Sequence, residues 1–305
     1  MVTLSGLIQT VLAIVLAPMM PSIINRTKAF FAGRHGQPWL QPYYDLWKLL
    51  RKSAVYSRTT TPIFIAGPIV GCSATLLALV FIPLAGLPSF VSFPGDFLLV
   101  AYLLGLSRFC TIVSALDTGS SFEGMGASRE AFFSALVEPA LLLSLATLVA
   151  FSRETSLSSI YAGLGGSVLT SAAGPAVMLV MLAMMIVFLA ENSRIPVDDP
   201  NTHLELTMIH EVMVLDHSGP DFALIQYGAC LKLWILSVLL TGILTPLHSG
   251  WFILDLFVGL AGMVVLAIVT GTVESVMARL RLVRVPQFLI AASILSTVAL
   301  ILVMR

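Results

Sequence analysis

Eight stretches of about 20 apolar residues follow one another along this chain, at roughly 3–24, 63–86, 96–116, 130–151, 170–190, 222–245, 251–273 and 285–304. A helix crosses the hydrocarbon of a bilayer in about 20 apolar residues. Backbone polar groups find no partner in lipid, so each run must close its own hydrogen bonds as a helix. The expected fold class is an all-α integral membrane protein of about eight transmembrane helices. Only 10% of the 305 residues are charged, against about 25% in soluble domains. No soluble domain, repeat or low-complexity segment interrupts the pattern, so residues 1–305 read as a single polytopic membrane domain. The first run has no basic residue before it and Arg26, Lys28 and Arg34 after it, which suits a retained span rather than a cleaved signal.

Basic residues set the expected orientation. With eight spans, the loops after the first, third, fifth and seventh share one side. They hold Arg26, Lys28, Arg34, Lys48, Arg51, Lys52, Arg58, Arg129, Arg194, Arg279, Arg281 and Arg284, which is 12 of the 16 Lys and Arg. The opposite side holds Arg153 and Arg305. The basic side is expected to face the cytoplasm, with both termini on the outer side of the inner (cytoplasmic) membrane. The formal net charge is zero, and nothing points to a nucleic-acid partner. Cys72, Cys110 and Cys230 lie in apolar runs without a CxxC pair and read as small buried hydrophobes. An iron–sulfur cluster takes four such ligands, so none is expected in this chain.

Three polar connectors carry the information. The first, Asn25–Thr61, contains YYDLWKLLRK. Leu46, Leu49 and Leu50 lie opposite Lys48, Arg51 and Lys52, which predicts a short helix at the membrane interface. The second is LDTGSSFEGMGASRE, 116–130. The third opens with AENSRIPVDDPNTHLELTMIHE, Ala190–Glu211, and concentrates Glu191, Arg194, Asp198, Asp199, His203, Glu205, His210 and Glu211. Pro196 and Pro200 disfavour a regular helix between them. Asp199 can cap a helix running from Pro200 to about Leu215. A broken, charged cytoplasmic loop after the fifth helix is therefore expected. Irregular backbone at membrane depth persists only inside protein or beside a water-filled cavity, so this loop reads as the mouth of a polar cavity. His203, His210 and His217 recur every seven residues, about 10 Å apart on a helix, too far to share a metal ion. No metal site is expected.

A charge at mid-bilayer costs about 2.5–3.5 kcal/mol even on the lenient insertion scale. Arg108, Glu130, Glu138, Glu191, Lys232, Asp255 and Glu274 fall in or at the edges of spans. Glu130, Ser134 and Glu138 recur every four residues and would line one stripe of a helix. Glu138 reads either as the structural partner of Arg108 or Lys232, or as a proton-carrying group. Glu130 and Glu274 lie nearer the interface, where snorkelling serves equally well. Asp255 reads as structural.

These residues resemble a known family. AENSRIPVDDPNTHLEL is similar to the loop signature of the quinone-site membrane subunit of respiratory complex I. The runs LDTGSSFEGMGASREAFFSALVEPALLL (116–143), LQPYYDLWKLLRK (40–52), Leu231–Lys232 and MARLRL (277–282) resemble in particular the matching subunits of formate hydrogenlyase and energy-converting nickel–iron hydrogenases. The resemblance runs from about Gly33 to Leu282. It implies a non-catalytic subunit that couples electron transfer in docked soluble subunits to proton or sodium movement by antiporter-like membrane subunits. Glu138 matches the family's intramembrane carboxylate, and Glu191, Arg194, Asp198 and Glu205 match its cavity loop. The implied proton path is Glu130, Glu138, Glu191, Asp198, Glu205 and Glu211, with Arg108, Arg129, Arg194 and Lys232 as charge partners. Arg34, Asp45, Lys48, Arg51 and Lys52 form the implied docking surface. The resemblance places no cofactor in this chain and puts nickel–iron and iron–sulfur centres in hydrogenase-like and iron–sulfur partner subunits.

The chain departs from the signature at Val197, where the family has Phe, and at Asn201 and His203, where it has Glu. Three alternatives compete, the plainest being a purely structural membrane anchor, which would not need Glu138 or Lys232 in mid-membrane but could tolerate them as a pair. A quinone-site subunit of an NADH:quinone oxidoreductase, with bound quinone, is opposed by the hydrogenase-like 116–130 run. A stand-alone secondary transporter would show paired broken helices, and only one broken segment is evident.

Overall fold

The computed structural model describes residues 4–165, 174–198, 209–245 and 250–305. Of the described residues 75% are helical, with no strand among them. The helices are α1 (Leu4–Leu16), α2 (Met19–Phe31), α3 (Gln41–Leu50), α4 (Pro62–Leu79), α5 (Asp96–Asp117), α6 (Ser121–Ser152), α7 (Leu157–Gly163), α8 (Gly174–Glu191), α9 (Gly219–Leu244), α10 (Phe252–Val276) and α11 (Val285–Met304). Among the described residues seven are long and apolar enough to cross a membrane, and eight if α1 and α2, bent at a short break, count as one span. The chain is a multi-pass membrane protein.

The first span differs from its expectation in shape. It bends by 48° between α1 and α2, where Pro18 and Pro21 remove backbone donors, and α2 runs on to Phe31. The second connector differs more. Most of 116–130 is helical, because α6 extends over 32 residues from Ser121, about 48 Å at 1.5 Å per residue. That is longer than the ~30 Å hydrocarbon core, so α6 projects beyond it. The second span ends at Leu79 rather than 86. The helix expected over 200–215 lies mostly outside the described residues. Within them, Glu211–Val214 forms one 3-10 turn.

Helix α9 is the hub, with 78% of its apolar window buried; α10 and α11 bury 28% and 22% and leave their other faces to lipid. Lipid supplies no hydrophobic force between helices, so small residues and interhelical hydrogen bonds do the packing. Gly67 and Gly71 in α4 form a G-x-x-x-G face against α5, where a Cβ on Gly67 would collide with Ser114 Oγ. Asp117 ends α5 by accepting from Thr61 N (2.7 Å) and Thr61 Oγ1 (2.8 Å), which aligns it with the start of α4. Buried Ser144 and Ser296 join α6 to α11 through an Oγ–Oγ bond of 2.8 Å. Tyr161 ties α7 to α9 by donating to Leu239 O (2.8 Å).

Candidate functional site

The close approach of α4 and α5 fixes Arg108 in the protein interior, and α8 brings Glu191 to it. Arg108 Nη2 lies 2.7 and 2.8 Å from the two oxygens of Glu191. Its Nη1 reaches Glu138 Oε1 at 3.3 Å, and its Nε lies 3.8 Å from Glu130. Lys232 on α9 completes the group, 3.2 Å from Glu191 Oε2. Three carboxylates thus share two cations. Both cations, Glu130 and Glu191 line one cavity of about 170 Å³, together with Arg194, Asp198, His210, Glu211, Cys72 and Cys230. That volume holds several waters. A second recess of about 20 Å³ lies between Glu130, Ser134, Glu191 and Asp198, room for about one water.

The turn after α8 aims the remaining charges. Arg194 N donates to Leu189 O (2.8 Å) and Ser193 N to Ala190 O (3.1 Å), a Schellman termination with Ser193 at φ +51°. This reverses the chain, and Arg194 Nη1 meets Glu274 Oε1 of α10 at 3.3 Å. Lys28 of α2 holds the other Glu274 oxygen at 2.8 Å. Asp198 accepts from Arg279 Nη2 (2.8 Å) and from the backbone N–H groups of Ile209 (3.1 Å) and His210 (3.2 Å). Leu280 N donates to Pro196 O (2.9 Å), a second tie between this turn and the α10–α11 loop.

Among the described residues, ion pairs therefore run across the whole bundle, from Lys28 and Glu274 on one flank to Arg108 and Glu138 on the other. The Glu138 side chain is 51% exposed on the bundle's outer flank, whereas that of Glu191 is 3% exposed. The stripe Glu130–Ser134–Glu138 thus passes from the interior to the lateral surface.

The sequence-derived set divides as follows. Glu130, Glu191, Asp198, Glu211, Arg108, Arg194 and Lys232 gather round the main cavity, and Glu138 joins them through Arg108. Arg129 is half-buried on α6 and is not among the cavity's lining residues. Glu205 lies outside the described residues. Arg34, Asp45, Lys48, Arg51 and Lys52 are all exposed. Asp45 accepts from Gln41 Nε2 (2.8 Å), and Arg51 stacks 4.6 Å over Trp47. Sequence reasoning missed the bridging roles of Lys28, Glu274 and Arg279. Glu274 has a fully buried carboxylate, not a snorkelling one. Its position at the end of an apolar run was visible, but its partners lie 80 and 246 residues away along the chain.

Two histidines flank the site outside the spans. Burial first, and Lys232 next, push His210 down to about 4, against the pull of Asp198. Burial likewise pushes His217 down to about 4, against Asp221 and Asp216. His217 stacks on Phe64 with ring centroids 4.0 Å apart, and neither ring nitrogen has a hydrogen-bond partner. Both imidazoles are neutral at pH 7 and serve as walls rather than charges. No group of three metal-ligating side chains occurs among the described residues.

The NADH dehydrogenase family profile matches residues 4–305. Formate hydrogenlyase subunit 4 of Escherichia coli (strain K12) is 30% identical over 288 residues, covering 92% of this chain and 92% of that protein. Hydrogenase-4 component C of the same organism is 30% identical over 283 residues, covering 90% of this chain and 87% of that protein. A chain in the structure of the membrane-bound sulfane sulfur reductase, an archaeal respiratory membrane complex, shares the fold. Its TM-score is 0.84 at 22% identity, over 98% of each chain.

Proposed function

The chain belongs to the NADH dehydrogenase family, and on that premise we propose that it is the membrane coupling subunit of a redox-driven, ion-translocating complex of the hydrogenase type. The observation that carries this reading is the ion-pair thread. Its parts meet at one cavity, which brings Arg194 and Asp198 of the turn after α8 beside the Arg108 cluster that reaches the half-exposed Glu138. Around Arg108, three carboxylates face two cations, so the group can hold one additional proton. At the other end Lys28, Arg194 and Arg279 face Glu274 and Asp198, one cation in excess. A charge arriving near the 194–198 turn shifts the balance of both halves. A change of one pKa unit at a carboxylate amounts to about 1.4 kcal/mol, enough to move the shared proton between Glu130, Glu191 and Glu138.

In this reading the redox centres, nickel–iron and iron–sulfur, belong to soluble subunits that dock on the basic side through Asp45, Lys48, Arg51 and Lys52. Antiporter-like subunits lie against the Glu138 flank, and the complex sits in the inner membrane with both termini outside. The cavity, at about 170 Å³, is smaller than the ~300–1,000 Å³ of ordinary small-molecule sites. That favours water over quinone as its content.

Affinity purification of the tagged chain in mild detergent tests the assignment, with co-purifying subunits and bound metals identified. Recovery with nickel, iron–sulfur subunits and large antiporter-like membrane proteins is expected. Recovery as a monomer or homodimer would overturn it.

A further inference from the structure

A further polar concavity, of about 470 Å³, lies where α2 and α10 end on the basic side, and it shares no lining residue with the cavity around Arg108. Its construction follows from a local signal. Arg34 N donates to Ala29 O (2.9 Å) and Gly33 N to Phe30 O (3.1 Å), the paired bonds of a Schellman motif, with Gly33 at φ +63°. The chain therefore turns back along α2. Gly36 lies so close that a Cβ there would meet Ala29 Cβ and Arg26 Cγ, both at 3.2 Å. Arg34, His35 and Gln37 become one wall; Asn25 and Lys28 of α2, with Ser275 of α10, form the other.

Donors dominate this lining, and no acidic residue is part of it. Lys28 is already bonded to Glu274. Arg34, Asn25 and Gln37, which carry further N–H donors, line the same space. Phe30 and Phe31 stand beside it, 80% and 52% exposed, at the end of a membrane span, where aromatic side chains sit at headgroup depth. A basic, concave, donor-rich site at the rim of a span, bordered by exposed aromatics, matches an anionic phospholipid. A flat acidic protein surface would leave the concavity unfilled and the two phenylalanines in water.

We propose that this concavity holds the headgroup of an anionic phospholipid. Its phosphate is bound by Arg34, with Lys28, Asn25 and Gln37 around it, and its acyl chains run down the α2 flank past Phe30 and Phe31. The site steadies the α2 end of the ion-pair thread, because Lys28 contributes to both.

The test uses the full chain with whatever subunits it carries, reconstituted in bilayer discs of phosphatidylcholine with added phosphatidylglycerol. The complex is then stripped with detergent, and retained lipid per chain is counted by mass spectrometry. Wild type retains phosphatidylglycerol. Arg34→Gln weakens retention about fivefold, Arg34→Lys restores most of it, and Arg58→Gln, exposed on the same side, behaves as wild type. Excess inorganic phosphate leaves the lipid in place. The proposal fails if Arg34→Gln retains lipid as wild type does, or if phosphatidylcholine is held equally well. Displacement by phosphate would indicate a free-anion site instead, and loss of a soluble subunit with lipid intact would indicate a protein-docking surface. Both results contradict it.

Discussion

Among the described residues Arg108 is the most contested cation: three carboxylates lie within 3.8 Å of its guanidinium. Removing one partner of a buried ion pair leaves an uncompensated charge and costs about 3–5 kcal/mol. Arg108→Ala is therefore expected to lower the thermal midpoint in detergent sharply. Arg108→Ala combined with Glu191→Gln should recover part of that loss, because the stranded carboxylate is gone. His217 gives the opposite case. Its imidazole, held down at about 4, binds fewer protons folded than unfolded. It therefore contributes stability that is complete above about pH 6.5 and lost as pH falls toward 4, worth ~3 kcal/mol. His217→Phe keeps the stack on Phe64, removes two unpaired nitrogens and flattens this part of the acid-side fall. Melting curves between pH 4 and 7 check it; an unchanged slope contradicts it. At this scale the sequence was informative about which charges lie together. Four charges singled out in or beside apolar runs, Arg108, Glu130, Glu191 and Lys232, line the cavity together with Arg194, Asp198 and Glu211 of the charged connector. Their pairing was not legible, because ion pairs such as Lys28–Glu274 join distant parts of the chain.

Elements position the thread through small residues. Gly271 on α10 faces α2 so closely that a Cβ would meet Thr27 Cβ at 2.7 Å and Ile24 O at 2.9 Å. Backbone cannot yield as a flexible side chain can. Gly271→Ala is expected to push α2 and α10 apart, cost about 1–3 kcal/mol by overpacking and open the Lys28–Glu274 pair. Cysteines placed at Lys28 and Glu274 would then cross-link more slowly than in the Gly271 background; an equal rate contradicts this. The apolar runs located the spans because lipid admits few alternatives to a helix. Helix ends were less legible. The polar composition of 116–130 suggested a loop, yet α6 starts at Ser121. Its polar residues pack instead: Glu123 is buried and accepts from Asp216 N (3.0 Å). The α1–α2 bend was likewise hidden in a continuous apolar run.

The whole molecule is a bundle around α9 with a charged thread laid across it, and the thread has two differently charged ends. A purely structural set of ion pairs would gain little, since buried pairs are weak stabilisers next to apolar packing. In the proposed function their cost is offset by a role in passing charge sideways to a neighbouring subunit. Family membership, the cavity and the flank position of Glu138 all bear on that one idea. It is tested most directly in sealed membrane vesicles carrying the intact complex, with redox turnover and the ion gradient recorded together for wild type and Glu138→Gln. Among the described residues half-exposed Glu138 makes one long ion pair, at 3.3 Å, so its amide should fold normally. The account predicts that electron transfer continues while the gradient formed per turnover collapses. An unchanged gradient per turnover would contradict it.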